Sequence, residues 1–347
     1  MDVMHEWMKR ISVKYPIVQA PMAGGITTPQ LVAAVSNEGA LGMIGAGYLN
    51  ADQTRQIIRE VKSLTTNPFG INLFVPEQCV ATDEEIRMAD KHLRIYREEL
   101  KIHDLGKFTK PKQAYEEQIR IILEEEVPVC SFTFGLPTES IVKKLKEKDI
   151  LLIGTATTVK EAQAIEAVGL DIVVAQGSEA GGHRGSFLES PEKSGIGLMS
   201  LIPQINDHVT IPVIAAGGIM DKRGLKAATC LGAQGVQMGT AFLTCKESGA
   251  HPQHKKAIIQ ATEDETVLTS VFSGKYARGV NNHFIQEMSK KKDALLCYPY
   301  QNELTKDIRR AAGEQNNPEF MSLWSGQSPR LSKEETVAEL IQRMVND

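Results

Sequence analysis

Three observations make a (β/α)8 barrel with a smaller helical lid the fold that the sequence predicts. Eight short apolar, β-branched runs recur between residues 16 and 245, most of them followed by a stretch with helical spacing. Several of these runs start only about 20–25 residues apart, the length of one strand–helix unit in a closed barrel. The turn after the first run, Pro21-Met22-Ala23-Gly24-Gly25, lacks the Gly-x-Gly-x-x-Gly spacing usual after the first strand of an open, doubly wound sheet.

The first strand is Pro16–Ala20. Thr28-Pro29 opens a helix that runs to about Asn37, a capping hydroxyl before proline at the first helical position, and Glu38-Gly39 ends it. Ala40–Ile44 is strand two. The helix Ala51–Leu64 follows, with Ile57, Ile58, Val61 and Leu64 on one face. Gly70–Val75 is strand three. Residues 76–126 break the rhythm: long, charged and helical in pattern, they read as an insertion of more than one helix. Strand four is Pro128–Thr133, with a helix at Ser140–Glu147, and strand five is Ile150–Gly154, with a helix at Thr158–Val168. Strand six is Asp171–Ala175. A helix at Leu198–Asn206 precedes strand seven, Ile211–Ala216; a further helix through Cys230 precedes strand eight, Gly235–Met238. Residues 1–245 are therefore read as the barrel. The stretch 246–315 is too long for a plain connection and reads as helix and loop, a lid over the barrel mouth. The tail, 316–347, carries Val337, Leu340, Ile341 and Met344 at helical spacing behind a capping-box-like Ser332-x-x-Glu335. It is expected to pack back on the barrel.

Composition narrows the function. The 347 residues are 42% apolar and 24% charged, the make-up of a soluble globular protein of enzyme size. A formal charge of −4 and the lack of a basic stripe with interleaved aromatics argue against nucleic acid as a partner. The five cysteines are odd in number and none has C-x-x-C spacing, so neither a disulfide framework nor a metal site is expected; free, buried thiols fit a reducing cytoplasm. The N-terminal stretch lacks the unbroken apolar core of a signal peptide, and no run approaches the ~18 residues that span a bilayer.

The chemistry is expected at the carboxyl ends of the strands. Strand six breaks into Gln176-Gly-Ser-Glu-Ala-Gly181-Gly182-His183-Arg-Gly185, where closely spaced glycines let backbone approach a ligand. The loops after strands seven and eight, with Gly217, Gly218 and Gln237-Met238-Gly239-Thr240, stand where barrels commonly bind phosphate. Asn72 and Gln176 are amides at strand ends and can both donate and accept, which suits the mixed edge of a heterocycle. Pro21, Met22 and Ala23 offer an apolar surface for a planar ring, and are equally consistent with packing. His183, among glycines at a strand terminus, is the candidate catalytic residue. A near-neutral pKa would let it take a proton from an acidic carbon or stabilise an anion. His283, in the lid, is a second candidate.

Five segments together resemble the nitronate monooxygenase family, formerly called 2-nitropropane dioxygenases: Pro16-Ile-Val-Gln-Ala-Pro-Met-Ala-Gly24, Gly70-Ile-Asn-Leu-Phe74, Ala175–Gly185, Ala215-Ala-Gly-Gly-Ile219 and Gln237-Met-Gly-Thr-Ala-Phe242. The resemblance spans about 11–245 and continues more weakly at Tyr298-Pro299 and Ser322–Gln327. It implies an FMN-dependent barrel in which Asn72, Gln176, Gly181, Gly218 and Gln237–Thr240 match flavin-contact motifs and His183 matches the active-site histidine. It also implies oxidation of alkyl nitronates such as propionate 3-nitronate, a detoxification, with O2 and without reduced nicotinamide, to a carbonyl compound and nitrite. The same motifs resemble the flavin-dependent enoyl-acyl-carrier-protein reductases and related quinone reductases, which use NAD(P)H. A phosphate-binding barrel lyase or isomerase without flavin, and a flavin-binding protein without activity, are the remaining alternatives.

Overall fold

A computed structural model describes residues 5–103, 108–109, 114–190, 193–291 and 294–346. Positions 104–107 and 110–113 of the expected insertion lie outside the described residues. The strands are β1 (Ile17–Gln19), β2 (Gly42–Gly45), β3 (Phe69–Phe74), β4 (Val129–Thr133), β5 (Leu151–Ala156), β6 (Ile172–Gln176), β7 (Gly182–His183), β8 (Val213–Ala216), β9 (Gly235–Met238), β10 (Thr266–Thr269) and β11 (Ala277–Val280). All except β7, β10 and β11 form one parallel sheet in the order β1-β9-β8-β6-β5-β4-β3-β2. A parallel bridge between Val18 and Leu41 joins its two ends, with Gln19 N–H donating to Leu41 O and Leu41 N–H to Ile17 O, each at 2.9 Å. The sheet is thereby closed into the expected barrel.

The helices are α1 (Glu6–Arg10), α2 (Pro29–Asn37), α3 (Ala51–Leu64), α4 (Asp83–Glu99), α5 (Tyr115–Glu124), α6 (Glu139–Lys146), α7 (Val159–Ala167), α8 (Leu198–Asn206), α9 (Lys222–Cys230), α10 (Thr240–Leu243), α11 (Pro252–Gln260), α12 (His283–Ser289), α13 (Tyr300–Leu304), α14 (Lys306–Glu314) and α15 (Val337–Val345). Local chemistry explains their starts. Thr28 Oγ1 caps α2 by accepting from Leu31 N at 3.0 Å, and Asn50 with Gln53 forms a capping box on α3. None of the described helices is long and apolar enough to cross a membrane.

Inside the barrel, alternate strand residues such as Val18, Met43, Val129, Ile153, Val174 and Ile214 meet, and Trp7 and Met8 of α1 pack onto that cluster. Outside, α15 places Val337, Leu340, Ile341 and Met344 against Leu31 and Val35 of α2 and Leu225 and Ala228 of α9. A third cluster joins Leu93 and Tyr96 of α4 to Phe272, Phe284, Ile308 and Phe320. The 76–126 insertion and the region after the barrel thus share one core.

Three expectations are corrected. The 246–315 stretch is not only helix and loop: β10 and β11 pair antiparallel, and β11 pairs with β7, Ala277 opposite His183 and Arg278 opposite Gly182. Strands this short, one of them Ala-Arg-Gly-Val, carry too little alternation to be read from spacing. The capping box of the last helix is Thr336 with Glu339, not Ser332 with Glu335; Ser332 ends the short turn Pro329–Leu331, and its Oγ is buried without a partner among the described residues. Finally, Cys79 and Cys297 are bonded to each other, Cα atoms 6.4 Å apart, although 218 residues separate them. Cys130 and Cys245 are free and buried, while Cys230 is free and exposed.

Candidate active site

A cavity with about 1270 Å3 of empty space, partly open to solvent, lies at the carboxyl ends of the barrel strands. Each strand delivers its residues by ending there. The segment after β1 supplies Pro21, Met22 and Ala23; β3 supplies Asn72; β6 and β7 supply Gln176, Gly181, Gly182 and His183. Gly217 and Gly218 follow β8, and Gln237, Met238, Gly239 and Thr240 end β9. All the residues singled out from the motifs therefore line one space. His283 does not: it starts α12 with its ring 5.5 Å from that of Phe320 in the lid core.

One end of the cavity is lined by glycine turns whose main-chain amides could take an anion. Gly217 and Gly218 have φ of +136° and +63°, a turn that an L side chain would strain. The amides of Gly217, Gly218 and Gly239 have no acceptor among the described residues, so these donors await a partner. The helix after Gly239 is a single turn, α10, so individual amides rather than a long helix dipole provide the attraction. Thr240 Oγ1 accepts from Gly326 N at 2.9 Å. That bond draws in a strap from beyond the lid, which adds Trp324, Gly326 and Ser328 to the lining.

The two amides differ. Asn72 Nδ2 donates to Ser131 Oγ at 2.8 Å and Thr133 Oγ1 at 3.0 Å, and its Oδ1 has no partner among the described residues. Gln176 is spent on the loop: its Nε2 donates to His183 O at 3.0 Å, and its Oε1 accepts from Gly185 N at 2.8 Å. Arg184, almost fully buried, donates to the carbonyls of Gln176, Gly177 and Ser194. Burial lowers its pKa to about 10, so it stays charged at neutral pH. Buried Glu161 accepts the N–H groups of Phe187 and Leu188 at 2.6 and 3.0 Å. Satisfied on both sides, the glycine loop is held in one conformation.

His183 sits in an aromatic chamber. Its ring centroid lies 5.9 Å from that of Phe134, 6.5 Å from Tyr298 and 5.5 Å from Trp324. Phe134 itself has φ of +73°, a conformation costly for an aromatic residue, and turns its ring between His183 and Phe74. Lys275 Nζ stands 4.3 Å over the Phe134 ring and is ion-paired with Glu77. His183 Nε2 is 2.8 Å from Ser273 Oγ, and that hydroxyl donates to Lys275 O at 3.0 Å. When that hydroxyl proton is on the Lys275 carbonyl, Ser273 accepts from the imidazole, which puts the ring hydrogen on Nε2 and leaves Nδ1 as the lone-pair nitrogen. Burial, then the charges of Lys275 and Arg309, push the pKa of His183 down to about 3. The near-neutral value expected from the sequence is corrected accordingly: at physiological pH the ring is uncharged.

Sequence reasoning missed Tyr48, Phe74, Phe134, Gly326 and Ser328 as cavity residues and Ser273 as the partner of His183. The chamber draws on loops after β2, β3 and β4, on the lid and on the strap, with no local spacing to connect them. The Tyr298 and Trp324 segments entered only through the family resemblance.

Comparison with known proteins agrees with this geometry. A family model described as nitronate monooxygenase matches residues 5–347. A probable nitronate monooxygenase from Staphylococcus haemolyticus (strain JCSC1435) is 50% identical over 337 residues, covering 96% of this chain and 94% of the relative. One from Staphylococcus aureus (strain MSSA476) is 51% identical over 337 residues, covering 97% and 95%. Among solved structures, nitroalkane oxidase from Streptomyces ansochromogenes superposes with a TM-score of 0.90 at 39% identity, covering 96% of this chain and 95% of that one. FabK from Thermotoga maritima gives 0.78 at 30%, covering 99% and 95%. The chain belongs to the nitronate monooxygenase family.

Proposed function

We propose that the protein is an FMN-dependent oxidoreductase that converts alkyl nitronates and O2 into a carbonyl compound and nitrite. The observation that carries this reading is His183: an uncharged imidazole in an aromatic chamber, beside a cavity whose far end presents unpaired amides. The residues present fit a flavin mononucleotide. The amides of Gly217, Gly218 and Gly239 and the Thr240 hydroxyl would hold its phosphate. Oδ1 of Asn72 would accept from a ring N–H, and Pro21, Met22 and Ala23 would press on the ring face. Bound flavin would supply the electron acceptor that no side chain here provides, with O2 as the final oxidant. The chain's own part is placement: Phe134, Tyr298 and Trp324 keep water from the small anion, and His183 presents Nδ1 to it.

The boundaries 1–245 for the barrel, 246–315 for the lid and 316–347 for the returning segment belong to the same proposal, as does a cytoplasmic location. The NAD(P)H-dependent reductase reading receives less support. The structural likeness to nitroalkane oxidase is the greater one. A solved enoyl reductase domain from the macrolactin cluster of Bacillus amyloliquefaciens is 11% identical at a TM-score of 0.62, a likeness of fold alone.

Anaerobic mixing tests the proposal. Propionate 3-nitronate should bleach the yellow protein, NADH should not, and admitting O2 should restore the colour with release of nitrite. Bleaching by NADH alone would favour the reductase reading. Protein that stays colourless after incubation with FMN would overturn the flavin assignment.

A further inference from the structure

Cys79 and Cys297 lie outside the machinery described above, on two segments beside the aromatic chamber. Cys79 is in the loop after β3, two residues beyond Glu77, whose carboxylate holds Lys275 over the Phe134 ring. Cys297 immediately precedes Tyr298, whose ring stands 5.8 Å from Phe134 and 6.5 Å from His183. The backbone beneath Cys297 is firmly seated. A Cβ at Gly274 would lie 2.2 Å from Leu296 O and 2.7 Å from Tyr298 N, so this wall rests directly on the turn that carries Ser273. Gln301 holds it from the other side, accepting from Leu296 N at 3.2 Å and donating to Val271 O at 2.9 Å.

The two cysteines stand apart from the other three. Their Cα separation of 6.4 Å permits a disulfide without backbone movement. Cys297 is exposed and Cys79 half-buried, so small oxidants and reductants can reach them. Cys130 and Cys245 are buried with their thiols pushed up by burial, that of Cys245 to about 12, and such thiols are inert. Cys230 is exposed but has no cysteine partner among the described residues.

We propose that Cys79 and Cys297 form a reversible thiol–disulfide site that clamps the loop after β3 to the Tyr298 wall. With hydrogen peroxide as oxidant, two S–H bonds and the O–O bond break, one S–S bond forms and two waters leave; each sulfur is oxidised by one electron and the peroxide is reduced. A dithiol reductant reverses the step, becoming a disulfide while the two thiols are restored. Where the surroundings are reducing, the pair rests open and the bond forms on oxidation. Closed, the segments carrying Glu77 and Tyr298 share a covalent tie beside the chamber. Open, the loop after β3 is held by non-covalent contacts alone.

The test uses the full-length, flavin-loaded protein, reduced with a dithiol or oxidised with peroxide and then freed of reagent. Oxidation should lower the thiols titrated in denaturant from five to three, and a non-reducing peptide map should join Cys79 to Cys297. Proteolytic cleavage within residues 76–82 should slow at least tenfold while the flavin absorbance is unchanged. Cys79→Ser and Cys297→Ser should each abolish the difference, and Cys230→Ser should preserve it. Five thiols after oxidation, thiols lost without the 79–297 link, or equal cleavage rates in the two states of the unmodified sequence would each overturn the proposal. Thiol counts and cleavage rates do not depend on the substrate, so this result stands apart from the proposed reaction.

Discussion

The depressed basicity of His183 makes a quantitative prediction about which form of the substrate is used. Its pKa falls from 6.5 to about 3 through burial and the neighbouring charges of Lys275 and Arg309. At about 1.36 kcal/mol per unit, protonating the ring costs about 5 kcal/mol more than in water. A neutral nitroalkane must give up a carbon-bound proton, and His183 Nδ1 is the nearby acceptor. A nitronate has already lost it. If half of the penalty is felt in the transition state, the nitroalkane is slower by about two orders of magnitude. The perturbation is therefore the ionisation state of one compound. Freshly dissolved neutral nitroalkane and its pre-formed nitronate are compared at pH 7 in stopped flow, before they interconvert, by following flavin bleaching without O2. The nitronate should react about 100-fold faster. Its kcat/KM should show no inflection assignable to His183 between pH 5 and 8, because the ring is neutral throughout. Equal rates for the two forms would refute the reasoning, as would an inflection near pH 6.5 that His183→Asn removes.

Other perturbations test neighbouring parts of the argument. Ser273→Ala leaves the His183 Nε2–H without its acceptor, about 1–3 kcal/mol, so kcat/KM should fall roughly 10- to 100-fold with flavin absorbance intact. The 15N NMR signals of His183 should show the loss of a single tautomer, and unchanged signals would dismiss the assignment. Gly218→Val forces a β-branched residue to φ +63°, its Cβ 3.3 Å from Glu179 Cβ and 3.4 Å from Ser328 Oγ. Such strain, about 1–3 kcal/mol, should weaken FMN retention at least tenfold in a fluorescence release assay. Acid should destabilise the fold through two histidines. Burial also lowers the pKa of His254, to about 4. Between pH 6.5 and those folded values the unfolded chain binds protons that the native chain refuses, so stability falls as pH falls. The slope is about 1.4 kcal/mol per pH unit for each histidine. Denaturant titrations at pH 6.5 and 5 should show that drop, and His254→Gln should reduce it.

How much of this was legible in the sequence depended on the range of the forces involved. The barrel strands announce themselves because each is buried on both faces and so must be apolar and β-branched along its length: Ile172-Val-Val-Ala and Val213-Ile-Ala-Ala could be little else. Their positions then place Asn72, Gly218 and Thr240 at one rim with no further information. The β7–β11 pairing is different. A two-residue strand has no period, and its partner lies across the lid, so only tertiary packing specifies it. Ser273 is 90 residues from His183, and Trp324 reaches the imidazole from the strap. The basicity of His183 was misjudged for the same reason. A sequence shows which residue titrates, while burial and the neighbouring charges, which decide where, come from the folded lid.

That difference divides the cavity physically. The proposed anion-binding end is made of main-chain amides in the turns after β8 and β9, and backbone donors persist whatever side chains surround them, provided that the turn keeps its shape. The chamber end is made of side chains: rings from Phe134, Tyr298 and Trp324, the Ser273 hydroxyl, and the charges of Lys275 and Arg309. On the proposed reading, cofactor affinity and the basicity of His183 are set by different groups, main-chain turns for the one and side chains for the other. On that reading, changes in the lid should retune what reacts without releasing the cofactor, and a distortion at Gly218 should weaken cofactor binding and leave the imidazole as it is. Barrel and lid meet beside the imidazole through the hydrogen bond between His183 and Ser273, the β7–β11 pairing and the ring of Tyr298. The hydrogen bond and the strand pairing together fix the orientation of the imidazole.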